Sequence, residues 1–565
     1  MSIRDQIREE RKAHQDQGLL PKWVTTDGYA FFKQKYQYEA ASYKEQIERI
    51  CRTAAKHTDE PAKWEAKFFE LFWKGWLSPS TPVLANMGTT RGLPVSCSGG
   101  YVEDSIYGFY AHNMESALLT KEGFGTSGYL GDIRPRGSEI ASGGKSSGSL
   151  PVFKMLIQTM RDVAQGTARR GAWAGYTEIE HGDFDELVDF VKENPDDANI
   201  GWNLRSSFKT KLDAGDVEAN RRWQKALKLK VLSGKGYFFF PDKVNAQNPQ
   251  MYKDMGLEVK ASNLCAEIAL FSGLYKDEMY TFTCVLSSMN LVHYDEWKDT
   301  DAVHTATIFL DCVASEFIEK AKNITGLESA VRFTQRSRAL GLGVMGFHSY
   351  LQKNSIPFES YDAHMKNNEI FKHLHDESLK ASKWMAKTWG EPEWCLGYGV
   401  RNTHRTALPP TMSTATLMGG ASQGIEPFYG NAFVKDGAAG SMEVINPQFY
   451  VLMKARGKYT RKLIKDIADN YGSVQNLDWL SDHEKLVFRT AFEINQEAIL
   501  RLGSGRQRWV CQGQSLNVFF DSEEDEEYIS QIHQMAFEDD RIKSVYYLRT
   551  QAGVAASRGE CLACQ

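Results

Sequence analysis

The chain has 565 residues, 42% hydrophobic and 12% aromatic, enough for a large core spread over roughly two to four domains or one large α/β barrel with additions. Its 67 basic and 72 acidic side chains leave a formal charge of −5, which argues against nucleic acid as the main partner. No apolar run approaches the roughly 18–20 residues of a membrane-spanning helix. The start, Met1-Ser2-Ile3-Arg4-Asp5-Gln6, lacks the apolar core of a signal peptide, and nine scattered cysteines suit a reducing cytoplasm.

The first stretch reads as helical, because Ile47, Ile50, Cys51 and Ala54 repeat at i, i+3, i+4 and i+7. A second helix is expected over about 63–76, burying Phe68, Leu71, Phe72 and Trp76 and ended by Pro79 and Pro82. The segment from Gly123 to Gly148 is rich in Gly and Ser and holds Arg134, Arg136 and Lys145, a composition suited to a loop around an anion. It is not a Walker A loop, since Glu139 stands where the first glycine is required. Strand-like runs occur at Gly236–Phe240, Tyr280–Val285 and Val545–Leu548, with helical patterns between them. The expected class is α/β with a mostly buried sheet.

Three interior cysteines have distinctive settings: Cys97 after an apolar run, Cys265 in Asn263-Leu264-Cys265-Ala266-Glu267, and Cys284 at the end of a strand-like run. A lone cysteine is most often a small buried hydrophobe. If extended, however, the 263–267 segment projects Asn263, Cys265 and Glu267 to one side, gathering an amide, a thiol and a carboxylate. The chain ends in Cys561-Leu562-Ala563-Cys564-Gln565 behind a polar, small-residue run from Ala552 to Glu560. A dithiol on such an arm suits thiol–disulfide exchange. The alternative, half of a zinc site, needs two further ligands that the tail lacks.

These residues together resemble the catalytic large (α) subunit of ribonucleotide reductase, from about residue 23 to Gln565. The resemblance rests on Asn263-Leu264-Cys265-x-Glu267, Cys97, Cys284 and the terminal cysteine pair. It extends to Thr81-Pro82-Val83-Leu84-Ala85-Asn86, Ser96, Pro410-Thr411-Met412-Ser413-Thr414-Ala415, Gly424-Ile425-Glu426-Pro427 and Tyr546-Tyr547. It implies a ten-stranded α/β barrel with a central finger loop over 79–550, preceded by a helical region over 1–78 and followed by a redox tail over 551–565.

By the same resemblance, Cys265 carries a thiyl radical, Glu267 is the general base and Asn263 holds the ribose hydroxyls. Cys97 and Cys284 deliver two electrons and finish as a disulfide, which Cys561 and Cys564 reduce. Thr81, Ser96, Thr411, Ser413 and Thr414 bind substrate, although an ordinary helix N-cap also explains the 411–414 run. Tyr546 and Tyr547 relay oxidising equivalents from a separate di-metal small (β) subunit. Asp104, Arg134 and Arg169 contact a dNTP or ATP effector held with Mg2+.

The implied partners are that small subunit, thioredoxin or glutaredoxin, and a second copy of the chain. No metal ligand and no covalently bound cofactor is assigned to the chain itself. Only a short charged segment, Met1 to about Leu20, precedes the resembling core, so no N-terminal ATP-cone is expected. The expected compartment is the cytoplasm, that of the host if the source is a virus. Two other readings stand beside this one: an adenosylcobalamin-dependent reductase, and a catalytically silent nucleotide-binding regulator with the same fold.

Overall fold

A computed structural model describes residues 3–163, 171–437 and 440–551. Four helices open the chain: Ile3–Asp16, Thr26–Lys35, Tyr43–Ala55 and Pro61–Trp73. Ile47, Ile50, Cys51 and Ala54 are all fully buried, as their spacing predicts. The second predicted helix ends earlier than expected, and not at a proline. Gly75 takes φ +71°, its N–H reaches the Phe72 carbonyl, and the Trp76 N–H reaches the Leu71 carbonyl. That pair of bonds satisfies the last carbonyls in a Schellman arrangement, which needs a left-handed residue. Trp76 then leads into a strand, Leu77–Pro79, and Pro82 sits in the first turn of the next helix, Thr81–Asn86.

Five parallel strands follow one another in chain order: Cys97–Tyr101, Thr126–Tyr129, Trp173–Glu178, Asn199–Asn203 and Tyr237–Phe239. Helices such as Ile106–Lys121, Leu150–Asp162 and Val217–Ser233 return the chain between them, as parallel pairing demands. A second parallel set begins with Phe282–Asn290 against Leu340–Met345. It continues through bridges from Leu342 to Thr406 and from Leu408 to Gln514. Its last pairing sets Val518–Phe520 against Leu548–Thr550.

Two antiparallel seams join the sets: Cys97, Ser98 and Gly99 against Cys284, Thr283 and Phe282, and Ser544–Val545 against Phe239 and Phe238. Two sets of five strand segments joined at both edges close into a ten-stranded α/β barrel, the expected architecture. Closure removes both free edges of the sheet.

The Gly/Ser-rich segment is only partly the expected loop. Its residues Thr126–Tyr129 are a barrel strand. Gly128 is there for close packing, since a Cβ at that position would lie 2.6 Å from His112 Nε2 and 2.8 Å from the Trp173 ring. The strand predicted over Tyr280–Val285 runs on to Asn290, with every residue of Phe282–Asn290 buried. Ser287, Ser288 and Asn290 hid that continuation, because burial of polar residues breaks an apolar pattern.

The apolar side chains form one large cluster linking the opening helices to the outside of the sheet. A second cluster fills the barrel and contains Cys97, Cys265, Cys284, Tyr546 and Tyr547. The helix Ala302–Ala321 joins the layers, packing on the Phe282–Asn290 strand and on the helices Tyr43–Ala55 and Pro61–Trp73.

Candidate active site

The segment 257–272 enters the barrel as a loop whose tip turns at Leu264 and Cys265. It is pinned from opposite walls. Ser127 Oγ donates to the Ser262 carbonyl at 2.8 Å, and Tyr176 Oη donates to the Asn263 carbonyl at 2.7 Å. From the other wall, Ser515 Oγ donates to the Cys265 carbonyl at 2.6 Å, Ser544 Oγ to the Ala266 carbonyl at 2.8 Å, and the Gly513 N–H to the Glu267 carbonyl at 2.8 Å. Nearly every bond that fixes the tip goes to the backbone, leaving the side chains at 265 and 267 to chemistry.

Asn263, Cys265 and Glu267 do converge, but not by strand alternation. Ala266 takes φ +62°, a left-handed turn that folds the segment back on itself. The Asn263 Oδ1 accepts from the N–H groups of Glu267 at 3.1 Å and Ile268 at 3.2 Å, so this side chain builds the turn. Its Nδ2 donates to Cys97 Sγ at 3.3 Å. Asn263 is fully buried. It ties the Cys97 thiol to the turn that carries Glu267.

Cys97 and Cys284 are direct partners across the antiparallel seam. Facing residues in such a seam have Cα atoms about 4.5–5.5 Å apart, inside the range a disulfide spans. Both are thiols here. Gln512 Nε2 donates to Cys284 Sγ at 3.4 Å and to the Leu340 carbonyl at 2.8 Å. Burial pushes the Cys284 thiol well above its ordinary range. Burial likewise lifts the Glu267 carboxyl from 4.5 to about 7, against opposing hydrogen bonds from the backbone, Asn263 and Ser515. A carboxyl poised near neutrality can both take and return a proton at working pH.

Cys97, Cys265 and Glu267 open onto one cleft together with Thr81, Ser96, Thr411, Ser413 and Thr414. The predicted substrate residues are therefore brought together with the predicted catalytic ones. Thr411 does not cap the helix Met412–Leu417 with its side chain. Its Oγ1 instead accepts from the Gly424 N–H at 2.8 Å, tying the Gly424–Pro427 motif to the site.

The sequence reading missed Ser78, Ser80 and Ser287, which line the same cleft. Their hydroxyls, and that of Ser96, are buried without a hydrogen-bond partner. Four such groups around one cleft fit a polar, oxygen-rich ligand that satisfies them. Ser287→Ala is expected to raise the substrate KM about 10-fold, for a hydrogen bond of about 1.5 kcal/mol to a charged group. Its melting temperature should not fall, because the lost hydroxyl has no partner in the free protein. Steady-state kinetics with thermal unfolding checks both halves.

Tyr546 and Tyr547 are buried with ring centroids 4.0 Å apart, and Tyr237 packs on both at 4.7 and 5.5 Å. Asn517 Oδ1 accepts from the Tyr547 N–H at 2.9 Å while its Nδ2 donates to Glu426 Oε1 at 2.8 Å, and Glu426 in turn accepts from Tyr429 Oη. The Arg549 guanidinium lies over both Tyr547 and Tyr429. The pair is thus linked to the Gly424–Pro427 motif, a connection the sequence did not reveal.

Asp104 and Arg134 form an ion pair at 2.6 Å, both partly exposed. They lie beyond the strand ends opposite Cys97. Seven residues separate Cys97 from Asp104, about 20 Å of extended chain. Arg169, Cys561 and Cys564 lie outside the described residues.

The closed barrel therefore carries a thiol and a carboxyl of its internal loop on one cleft, with a thiol pair across the adjoining seam. Comparison with known proteins gives the family. The description "Ribonucleotide reductase, barrel domain" matches residues 95–209, 203–394 and 393–548. "Ribonucleotide reductase, all-alpha domain" matches residues 23–92. The chain belongs to the ribonucleotide reductase large-subunit family.

It is 33% identical, over 91% of its length and 94% of the relative's, to a protein of Frog virus 3 (isolate Goorha) named as a ribonucleoside-diphosphate reductase large subunit. It is 28% identical, over 81% of its length and 62% of the relative's, to a vitamin B12-dependent ribonucleoside-diphosphate reductase of Thermoplasma acidophilum. Among solved structures, the Actinobacillus ureae class Id ribonucleotide reductase alpha subunit superposes with a TM-score of 0.86. That match has 39% identity and covers 95% of this chain and 99% of the other.

Proposed function

We propose that the chain reduces ribonucleoside diphosphates to 2′-deoxyribonucleotides through a thiyl radical at Cys265. The observation that carries this reading is the meeting of Cys265, Glu267 and Cys97 on one cleft, with Cys284 paired to Cys97 across the adjoining seam. The Cys265 thiyl takes the 3′ hydrogen atom, and Glu267 takes the 3′-hydroxyl proton. The Cys97 thiol protonates the 2′-hydroxyl, which leaves as water. Cys97 and Cys284 together give up two electrons and two protons and become a disulfide, Glu267 returns its proton to the 3′ oxygen, and the 3′ hydrogen returns from Cys265, restoring the thiyl. The in-register seam lets that disulfide close without moving the barrel wall. Cys561 and Cys564 then reduce it by exchange and are themselves recharged by thioredoxin or glutaredoxin.

Substrate phosphates are held by Ser413, Thr414 and Thr411, and the ribose side by Thr81 and Ser96. Tyr546 and Tyr547 carry oxidising equivalents from a di-metal small subunit, which generates the radical. Asp104, Arg134 and Arg169 hold a dNTP or ATP effector with Mg2+, and the Asp104–Arg134 ion pair must open to admit its phosphates. The helix Ile106–Lys121 begins just after Asp104 and exposes Ile106, Tyr107, Tyr110 and Met114. Ile106, Tyr110 and Met114 share one face at i, i+4 and i+8. This apolar stripe supports a homodimer formed beside the effector residues.

The B12-dependent relative keeps the second reading in play. Two phenols packed at a tilt with centroids 4.0 Å apart favour the small-subunit reading, because a radical made inside the site needs no such pair. Purified chain is expected to be inactive alone and with adenosylcobalamin, and active once a metal-loaded small subunit and a dithiol are added. Turnover with adenosylcobalamin and no partner would reverse the choice between the two.

A further inference from the structure

Cys511 is the one cysteine among the described residues that is half-buried rather than buried, and it takes no part in the chemistry above. Three donors converge on its sulfur: the Arg405 N–H at 3.1 Å, the Thr406 N–H at 3.2 Å and Thr406 Oγ1 at 3.1 Å. Two successive backbone N–H groups thus aim at one atom, and hydrogen bonds to the charged form favour it. Thr406 Oγ1 also accepts from the Cys511 N–H at 3.0 Å, so the hydroxyl is held against the sulfur from both sides of the residue.

A second, separate feature points the same way. The Arg405 side chain is 9% exposed, and its Nε is buried without a hydrogen-bond partner. No carboxylate pairs with it in a salt bridge among the described residues. A buried guanidinium with an unmatched N–H calls for an anion beside it. Lys543 adds positive charge from the other side, its Nζ donating to the carbonyls of Cys511 at 2.8 Å and Gln512 at 2.9 Å. The other titratable group within electrostatic reach of the sulfur is the Cys284 thiol. Burial alone would raise the Cys511 thiol, but Arg405, the Thr406 hydroxyl and the two backbone N–H groups outweigh it and hold it below its ordinary value.

We propose that Cys511 is held as a thiolate and is a site of reversible S-thiolation by small disulfides, separate from the thiols of the substrate cleft. The Cys511 sulfur attacks one sulfur of R–S–S–R, that S–S bond breaks, a Cys511–S–S–R bond forms, and R–S⁻ leaves. Electrons balance within the exchange and no proton is consumed. The adduct removes the anion that Arg405 and the two backbone N–H groups stabilise, at a position next to Gln512. Gln512 in turn holds Cys284 Sγ, and its Oε1 accepts from the Ala269 N–H of the finger loop at 3.2 Å. The modification therefore reaches the reducing pair through one side chain.

The test is peptide mapping by mass spectrometry after timed exposure of the full chain to oxidised glutathione over a series of pH values. The Cys511 peptide is expected to gain the adduct at least about 10-fold faster than those of the buried Cys51 and Cys312 near pH 7. The pH midpoint of its rate should lie below the ordinary thiol value of about 8.5. Arg405→Gln should raise that midpoint and slow the reaction at pH 7, and Thr406→Val should do the same while Thr406→Ser leaves it in place. Labelling of Cys511 no faster than of Cys51 and Cys312, or a midpoint at or above the ordinary value in the unaltered chain, would overturn the proposal. Because these readouts come from unaltered protein, they stand even if a variant fails to fold.

Discussion

Replacing Cys265 by serine is expected to end turnover while sparing the fold and substrate binding. A drop of at least about four orders of magnitude in kcat is anticipated, about 5 kcal/mol of barrier at 1.36 kcal/mol per tenfold. Serine matches cysteine closely in shape, yet its O–H bond is too strong to be oxidised to a useful radical. The structure explains why the rest of the site survives. The loop tip is held through the carbonyls of Asn263, Cys265, Ala266 and Glu267, and none of these bonds uses the sulfur. Glu267, Ser96, Thr411 and Ser413 keep their places on the cleft, so the substrate dissociation constant should change by less than about threefold. Single-turnover assays beside equilibrium nucleotide binding separate the two effects. Product above about a thousandth of the unaltered rate would remove Cys265 from the radical role.

The cysteines were legible in sequence because their settings are unusual, and the structure sets Cys97 and Cys265 on one cleft with Cys284 paired to Cys97 across the seam. The local geometry was not. Alternation along an extended segment predicts the convergence of residues 263, 265 and 267, whereas a left-handed Ala266 and the Asn263 side chain produce it. A positive φ at a non-glycine residue leaves no compositional mark, so a turn of this kind is invisible before the structure. The same holds for Ser78, Ser80 and Ser287. An isolated serine in an apolar strand reads as a flaw in the pattern, and only burial without a partner marks it as a ligand group.

Composition also misplaced a boundary. Glycine and serine at 125–128 suggested loop, but tight packing against His112 and Trp173 demands small residues in a strand. Prolines 79 and 82 looked like helix stops, yet the helix had already ended through backbone bonds at Gly75. Fold class survived these errors because barrel closure depends on strand order and pairing, which tolerate shifts of a few residues at any one element.

Glu267→Gln should separate proton transfer from the rest of the reaction, and it carries the second largest expected effect. General acid–base groups contribute about 10²–10⁴-fold, and kcat is expected to fall within that range. In the unaltered protein, activity should rise with pH through about 7, where burial has placed the carboxyl, because only the ionised form can accept the 3′-hydroxyl proton. Glutamine cannot titrate, so that limb should vanish from the pH profile of the variant.

Stability should move the other way. Below pH 4.5 the carboxyl is protonated in folded and unfolded chains alike, and its burial costs nothing extra. Between 4.5 and about 7 the unfolded chain loses the proton and the folded chain keeps it, so folding stability declines as pH rises, and it levels off once both forms are ionised. At 1.36 kcal/mol per unit of pKa, the cost above neutrality reaches up to about 3 kcal/mol. Glutamine can still pair with Ser515, its amide N–H donating to the Ser515 oxygen, without carrying a buried charge. Chemical denaturation at pH 5 and pH 8 is therefore expected to show the variant gaining stability over the unaltered chain at pH 8 and little at pH 5. Equal stabilities at both pH values, with the activity limb retained, would mean that another group titrates near 7 and that Glu267 is not the base.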